Sequence, residues 1–467
     1  MGFRAVTTMN RTAISGGALA SVLVLAAFAG TFPALEQDVD ALAAGVPATT
    51  TSTAVTPEGT QGFLYGRVTT DDGAAYLGRL RFGGDEEAFW GDYFNGSKGD
   101  NSWAAHAPAG RRAENGRPIT IFGFEIPFGE RQTDLVRPFM ARLGDIARIE
   151  ARGRHVRVTL KSGTVFDLDR MAASDFDDGV RVWDDRRGVV DLASWAGGIP
   201  PPSRLRIRAI ELLPTARLGA VPARLHGTVH TRQGDFSGFV QWDRQYCVGL
   251  DELDGRTDNG ALSLRFDAIR SIARRSADSS LVTLLDGRQI ALSGTRRVGR
   301  GNRGIYVDDA RYGRVLVSWD AFERIDFTAG GSGPAYNDFA PGRPLTGSVT
   351  TRGGRRLPGR LVFDLDESET TETLDAPSQG VDYTIPFGLI ASIAPVDPQE
   401  RGARGARVAL QSGEELLLDR AGDLGAGNAG MLVFIDGRQR PEYVEWTDID
   451  QLDLDRPPAM YPPLGGR

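Results

Sequence analysis

The chain has 467 residues, 41% of them hydrophobic, which is long enough for roughly two to four domains with cores of their own. Its net charge of −7 argues against nucleic-acid binding, because neutralising phosphates needs a basic face. The 59 glycines favour strands joined by many turns over a helical bundle. Cys247 is the only cysteine, which excludes an internal disulfide. We expect it to be a small buried side chain rather than one paired with a partner chain.

Residues 1–29 have the pattern of a signal peptide. Arg4 and Arg11 form a basic start, and an apolar stretch follows at 18–27. We therefore predict export to the periplasm, the cell envelope or the extracellular space. The alternative is an uncleaved membrane anchor, because residues 12–35 carry no charge. Glycine, serine and threonine make that stretch a poor membrane-spanning helix.

A flexible linker is predicted over 30–62, which is rich in Ala, Thr, Pro and Gly and has no apolar periodicity. Beyond it, Leu, Gly, Val and Thr alternate in the same frame three times, at 64–70, 225–231 and 345–351. A period of two places all four side chains on one face of a β-strand. The frame therefore marks the first strand of three similar units.

The fold class predicted from this pattern is all-β, with three tandem repeats of antiparallel strands. A second hairpin in each unit begins with a V-x-L-x-x-G pattern, at Val158, Val282 and Val408. The predicted repeats cover 63–215, 224–328 and 343–456. Residues 329–342 are rich in Gly and are predicted to be a linker between repeats two and three.

Each repeat is predicted to consist of small SH3-like or Sm-like barrel-type units. The stretch Thr351–Asp364 has the pattern T-x-x-G-x-x-x-x-G-x-L-x-F-D, which resembles the first signature of Sm-like barrels. The resemblance covers only these hairpins and implies a barrel topology, not RNA binding. Glycines within strands, such as Gly227, allow the tight coiling that a small barrel needs.

Repeat one is longer than the others. An Ile-Pro-Phe-Gly turn at Ile126–Gly129 matches the one at Ile385–Gly388. Aligning these two turns predicts that the extra length of repeat one consists of loops, at 83–118, 130–145 and 193–203.

The first added loop contains five aromatic residues among glycine, asparagine and acidic residues: Phe89, Trp90, Tyr93, Phe94 and Trp103. Exposed rings are typical of surfaces that contact proteins or sugars, so we predict that these five bind a partner. The expected partner is an envelope protein or glycan. The alternative is that two or three of the rings fold back and plug the mouth of the barrel.

An acidic connection follows the first hairpin of each repeat. In repeat two it contains Asp243, Asp251 and Asp254, the last of which precedes a glycine. Oxygen ligands near a glycine turn suit calcium, so these three residues are the candidate ligands. The alternative is ordinary turn chemistry, in which Asp and Gly are both common. No other cofactor is predicted.

Histidines give no metal site, since His226 and His230 are separated by about 13 Å along one strand. No G-x-S-x-G, H-E-x-x-H or phosphate-binding loop occurs, and no catalytic residue is predicted. We therefore interpret the chain as an exported, non-enzymatic binding or scaffolding protein. Membrane contact is expected only through an uncleaved N-terminal segment. The alternative function is an envelope hydrolase for carbohydrate or peptide that uses the loop carboxylates of repeat one.

Overall fold

The computed structural model describes the chain from residue 61 onward, with several gaps. The described ranges are 61–82, 86–98, 101–108, 120–121, 124–125, 137–169, 179–192, 207–216, 218–219, 221–396 and 405–457. The predicted signal peptide and the predicted linker up to residue 60 lie outside these ranges. Within them, no helix combines the length and the apolar character that crossing a membrane requires.

The described chain is all-β, as the sequence predicts. Strands β1–β12 are Tyr65–Thr70, Ala75–Phe82, Tyr93–Ser97, Thr120–Ile121, Phe124–Glu125, Pro138–Arg142, Ile146–Arg152, His155–Leu160, Val165–Asp169, Val180–Asp184, Gly188–Leu192 and Ile207–Leu212. Strands β13–β22 are His226–Thr231, Gly234–Gln241, Glu252–Thr257, Gly260–Arg265, Ile269–Ser276, Ser279–Leu284, Gln289–Ser293, Ile305–Asp309, Gly313–Val317 and Phe322–Phe327. Strands β23–β32 are Thr346–Thr351, Arg356–Val362, Thr373–Ser378, Val381–Pro386, Ile390–Pro395, Ala406–Leu410, Glu415–Leu418, Met431–Phe434, Glu442–Val444 and Ile449–Leu454.

Helices in the described ranges are 3-10 helices of three to five residues. They are Ser102–His106, Leu143–Asp145, Phe266–Ala268, Arg296–Val298, Tyr336–Asp338, Phe387–Leu389, Gly422–Leu424 and Trp446–Asp448. Several of them stand directly before a strand, so they turn the chain between neighbouring strands rather than form a layer of their own.

Three large antiparallel sheets contain most of the strands. Their orders are β11-β10-β2-β1-β12-β7-β8-β9, then β16-β15-β19-β18-β17-β22-β13-β14-β20-β21-β26-β25, and β29-β28-β27-β32-β23-β24-β30-β31. Eight strands have the same relative order in all three; β2, β1, β12 and β7, for example, correspond to β14, β13, β22 and β17 and to β24, β23, β32 and β27. None of these described sheets is closed into a barrel, so the predicted barrel-type units are not observed as closed sheets.

The alternating frame at the start of each predicted repeat forms β1, β13 and β23, each between two antiparallel neighbours. Val68, Val229 and Val349 are fully buried in the core, as a period of two requires. The glycine of the frame is needed for close approach. A Cβ on Gly227 would lie 2.4 Å from the carbonyl oxygen of Asp326 on the neighbouring strand.

Two main hydrophobic cores result. One is built mainly from the strands of predicted repeat one, and the other is shared by predicted repeats two and three. Strands β21 and β26 pair across the second of these, so the twelve-stranded sheet contains strands from both repeats.

One predicted loop is wrong. Residues 138–145 form β6 and the helix Leu143–Asp145, and β6 occupies in repeat one the place that β26 occupies in repeat three. Both strands lead into a three-residue helix and then into a core strand, β7 or β27. The turn at Ile126–Gly129, on which the alignment rested, lies outside the described residues. A short sequence match therefore displaced the true equivalent by several positions.

Candidate functional site

Four of the five aromatic residues predicted to bind a partner are buried. Trp90 is 2% exposed, Tyr93 is 3% exposed, and Phe89 and Phe94 are fully buried. The expectation of exposed rings is therefore wrong for these four, and they fold back into the core as in the alternative. Trp103 is half-buried and is treated separately below.

Partners far away in the sequence cover these rings. The ring centre of Phe89 lies 4.9 Å from that of Tyr336, and that of Trp90 lies 6.3 Å from Phe339. The indole N–H of Trp90 donates to the carbonyl oxygen of Asp308, 3.5 Å away. The added loop is therefore part of the contact between repeats one and two, with the segment 329–342 packed over it.

Charged residues are buried in the same contact. Asp92 Oδ2 accepts the backbone N–H groups of Glu87 and Ala88 at 2.9 and 2.8 Å. Arg314 Nε donates to Asp308 Oδ1 at 3.1 Å, and burial raises the pKa of Asp308 to about 6. Glu87 and Asp92 are the described loop carboxylates that lie deepest, and both are almost fully buried. They support this packing and do not face solvent.

The three candidate calcium ligands have other partners. Asp243 is fully buried, accepts the backbone N–H of Arg303 at 2.8 Å and lies 3.3 Å from Arg296. Asp251 Oδ2 accepts two backbone N–H groups of its own turn, at 2.8 and 3.0 Å. Asp254 is paired with Arg297. Among the described residues, no group of three or more His, Cys, Asp or Glu side chains is arranged to hold a metal ion.

Calcium binding can be tested by stability. We expect a chelator to leave the melting temperature unchanged, because arginine and backbone amides already satisfy these carboxylates. The measurement is thermal unfolding with and without chelator, followed by addition of calcium. A melting temperature that falls with chelator and returns with calcium would show that the native state binds the ion.

Trp103 lies in the helix Ser102–His106, which packs on the third sheet. Asn101 caps the helix, since its Oδ1 accepts the backbone N–H groups of Trp103 at 2.9 Å and Ala104 at 3.2 Å. The amide group of Asn101 also donates to the carbonyl oxygen of Leu365 at 2.9 Å. One side chain therefore both starts the helix and fixes it to repeat three.

A set of part-exposed side chains surrounds Trp103, and we call it the Trp103 cluster: Trp103, His106, Arg360, Phe434 and Tyr443. The ring centre of Phe434 lies 5.8 Å from Trp103 and 6.2 Å from His106, both edge to face. The Arg360 guanidinium lies 3.9 Å from the centre of the Phe434 ring. His106 is exposed and the other four are half-buried. Aromatic faces stand here beside cationic and hydrogen-bonding groups.

Sequence reasoning missed a buried ionic contact that holds this segment in place. Lys98 Nζ lies 2.6 Å from Asp366 Oδ1 and 3.0 Å from Glu372 Oε1. Arg137, on the far side of the loop, lies 3.2 Å from Asp364 Oδ1. All these groups are about nine-tenths buried or more. Two cations of repeat one therefore lie against a carboxylate-rich turn of repeat three.

Burial and charge act in opposite directions on these groups. Burial lowers the pKa of Lys98, but the charges of Asp366 and Glu372 outweigh it, so the pKa lies above its ordinary value. Burial raises the pKa of Glu372 despite the nearby Lys98. Lys98 is one of only two lysines in the chain, and that rarity was the sole sequence signal.

Comparisons with protein-family models, with curated proteins and with solved structures find no match for this chain.

Proposed function

We propose that the chain is an exported, non-enzymatic binding protein that contacts an envelope glycan through the Trp103 cluster. The observation that supports this most is the composition of the cluster. It combines part-exposed aromatic rings with a guanidinium, an imidazole and a phenol. Sugars stack on aromatic faces and accept hydrogen bonds from such donors.

The size of the cluster favours a glycan over a large protein partner. A stable protein interface buries about 1,200–2,000 Å² in total, which is more than five side chains offer. The hydrolase alternative needs accessible loop carboxylates, whereas Glu87 and Asp92 are buried and bonded. We therefore propose binding rather than hydrolysis for repeat one.

The scaffold in this proposal is an array of three repeats of one β unit. The shared order of eight strands and the recurring L-x-G-x-V-x-T frame support it. The predicted export to the cell envelope or beyond gives the array access to glycan. In such an array the strands hold the fold while connections between them diverge and carry recognition.

Trp103→Ala is expected to weaken glycan binding at least about tenfold, which corresponds to roughly 1.4 kcal/mol. The measurement is retention of purified protein on isolated envelope glycan, with a thermal melt of the same variant. Leu417→Ala is the matched control, because Leu417 is an exposed apolar residue of β29 outside the cluster. It should bind like the unaltered chain.

Two results would contradict the proposal. One is a Trp103→Ala variant that keeps its fold and binds glycan as well as the control does. The other is capture of an envelope protein, but not of glycan, in a form that Trp103→Ala abolishes; the cluster would then be a protein-binding site.

A further inference from the structure

Repeats two and three are joined by a strand pairing that gives a template for a second contact. Strand β21 pairs with β26, the outer strand of the hairpin β25–β26. Every residue of β21 is buried in this arrangement, including Arg314 at 7% exposure. The paired residues are Arg314↔Thr384, Val315↔Tyr383, Leu316↔Asp382 and Val317↔Val381.

Two other strands have the same topological positions but no described strand on their outer side. Strand β11 follows β10 as β21 follows β20, with five paired positions and a glycine at the turn, Gly188 or Gly313. Strand β16 follows β15 as β26 follows β25, with six paired positions and a two-residue turn. β11 ends the first sheet and β16 ends the second. Both halves of the β21–β26 type of contact are therefore unfilled.

The unfilled edges leave apolar side chains partly uncovered. Val189 is 59% exposed, whereas its counterpart Arg314 is buried. Val190 and Leu262 are half-buried, although their counterparts Val315 and Tyr383 are buried against each other. A strand edge with uncovered apolar residues is a template for pairing with another strand.

We propose that β11 of one chain pairs with β16 of a second copy, in the antiparallel register of β21 and β26. The counterpart positions predict the pairs Val189↔Ser263, Val190↔Leu262, Asp191↔Ala261 and Leu192↔Gly260. The occupant is a second copy because each chain carries both halves of the contact, and in the described chain these halves belong to separate sheets. Two chains can fill both edges of each other, or more chains can associate head to tail.

Charges at these edges are compatible with the pairing. Asp191 lies 2.6 Å from Arg181 on the neighbouring strand, and both are exposed. The β21–β26 contact itself contains Arg314 and Asp382 at paired strands, so a charged residue in the strand does not prevent it. Four residue pairs form a small interface, so we expect a weak association, with a dissociation constant of about micromolar.

Single-cysteine variants of the full chain test the register. Val190→Cys and Leu262→Cys chains are mixed and oxidised, because residues directly opposite in a pair approach closely enough to be linked. Burial raises the pKa of the native Cys247 thiol, which keeps it unreactive. Val189→Cys mixed with Leu262→Cys is the control, since neighbouring residues of a strand point to opposite faces.

We expect several-fold more disulfide-linked heterodimer from the first mixture than from the control. Sedimentation of the unaltered chain should show a mass that rises with concentration, and Val190→Lys should remain monomeric with an unchanged melting temperature. Equal linkage in both mixtures, or a monomer at about 100 μM, a hundredfold above a micromolar constant, overturns the proposal. A chain carrying both cysteines that links within itself at high dilution also overturns it, because the contact would then lie inside one copy.

Discussion

Lys98→Met is expected to destabilise the folded chain by about 3–5 kcal/mol at pH 8, because removing one partner of a buried ion pair leaves the other charge uncompensated. Lys98 contacts both Asp366 and Glu372, and its side chain is 9% exposed. Methionine keeps most of the volume, so the lost charge dominates the effect. The measurement is the free energy of unfolding from urea titration.

The control is Arg157→Met. Arg157 lies 2.7 Å from Asp167, but both side chains of that pair are exposed. An exposed ion pair contributes roughly 0–1 kcal/mol because water and salt screen it. Equal losses in the two variants would show that the Lys98 contact is no stronger than a surface pair.

The loss in Lys98→Met is also expected to shrink as the pH falls from 8 to 5. Burial raises the pKa of Glu372, and it raises the pKa of Asp375 to about 6. A carboxyl group whose pKa is higher in the folded state binds more protons there than in the unfolded state. Lowering the pH through about 6 toward the ordinary value near 4 therefore stabilises the fold.

Urea titrations of both proteins at pH 8, 6.5 and 5 measure this effect. The difference between the two proteins isolates the contact, since carboxylates elsewhere titrate alike in both. A difference that stays constant across this range would mean that the carboxylates around Lys98 keep their charge.

Trp90→Ala is expected to cost about 3–5 kcal/mol, the range for removing a large ring from a core. The substitution opens a cavity beside Phe339 and takes away the ring 4.7 Å from the Arg142 guanidinium. Trp103→Ala is the matched control, because the same change at a half-buried site removes less buried area. A smaller loss at position 90 than at position 103 would contradict the packing described for the loop.

Limited proteolysis of the same variant reports on the segment 329–342. The sequence predicts a plain linker there, but Tyr336 and Phe339 are buried against the first core. We expect the unaltered chain to resist cleavage in this segment and Trp90→Ala to be cut within it, because the covering rings lose their support. Equal cleavage of both chains would show that the packing does not protect the segment.

The sequence by itself determined the all-β class and the first strand of each predicted repeat. These follow from local rules: a period of two places Val68, Val229 and Val349 on the inner face, and glycine occurs where backbones approach closely. Such patterns are written in consecutive residues, so they can be read without knowing which strands become neighbours. The five-residue spacing around a turn was less reliable, as the displaced equivalent of β6 shows.

Only the tertiary structure decided which aromatic side chains are exposed and where charge is buried. Trp90 is covered by residues more than 200 positions away, and its indole partner Asp308 is separated from it by 218 positions. Lys98 meets Asp366 across 268 positions. A polar, glycine-rich loop with five rings has the same composition whether it faces solvent or a neighbouring repeat. Its burial depends on surfaces brought together by folding, and that information is not contained in the local sequence.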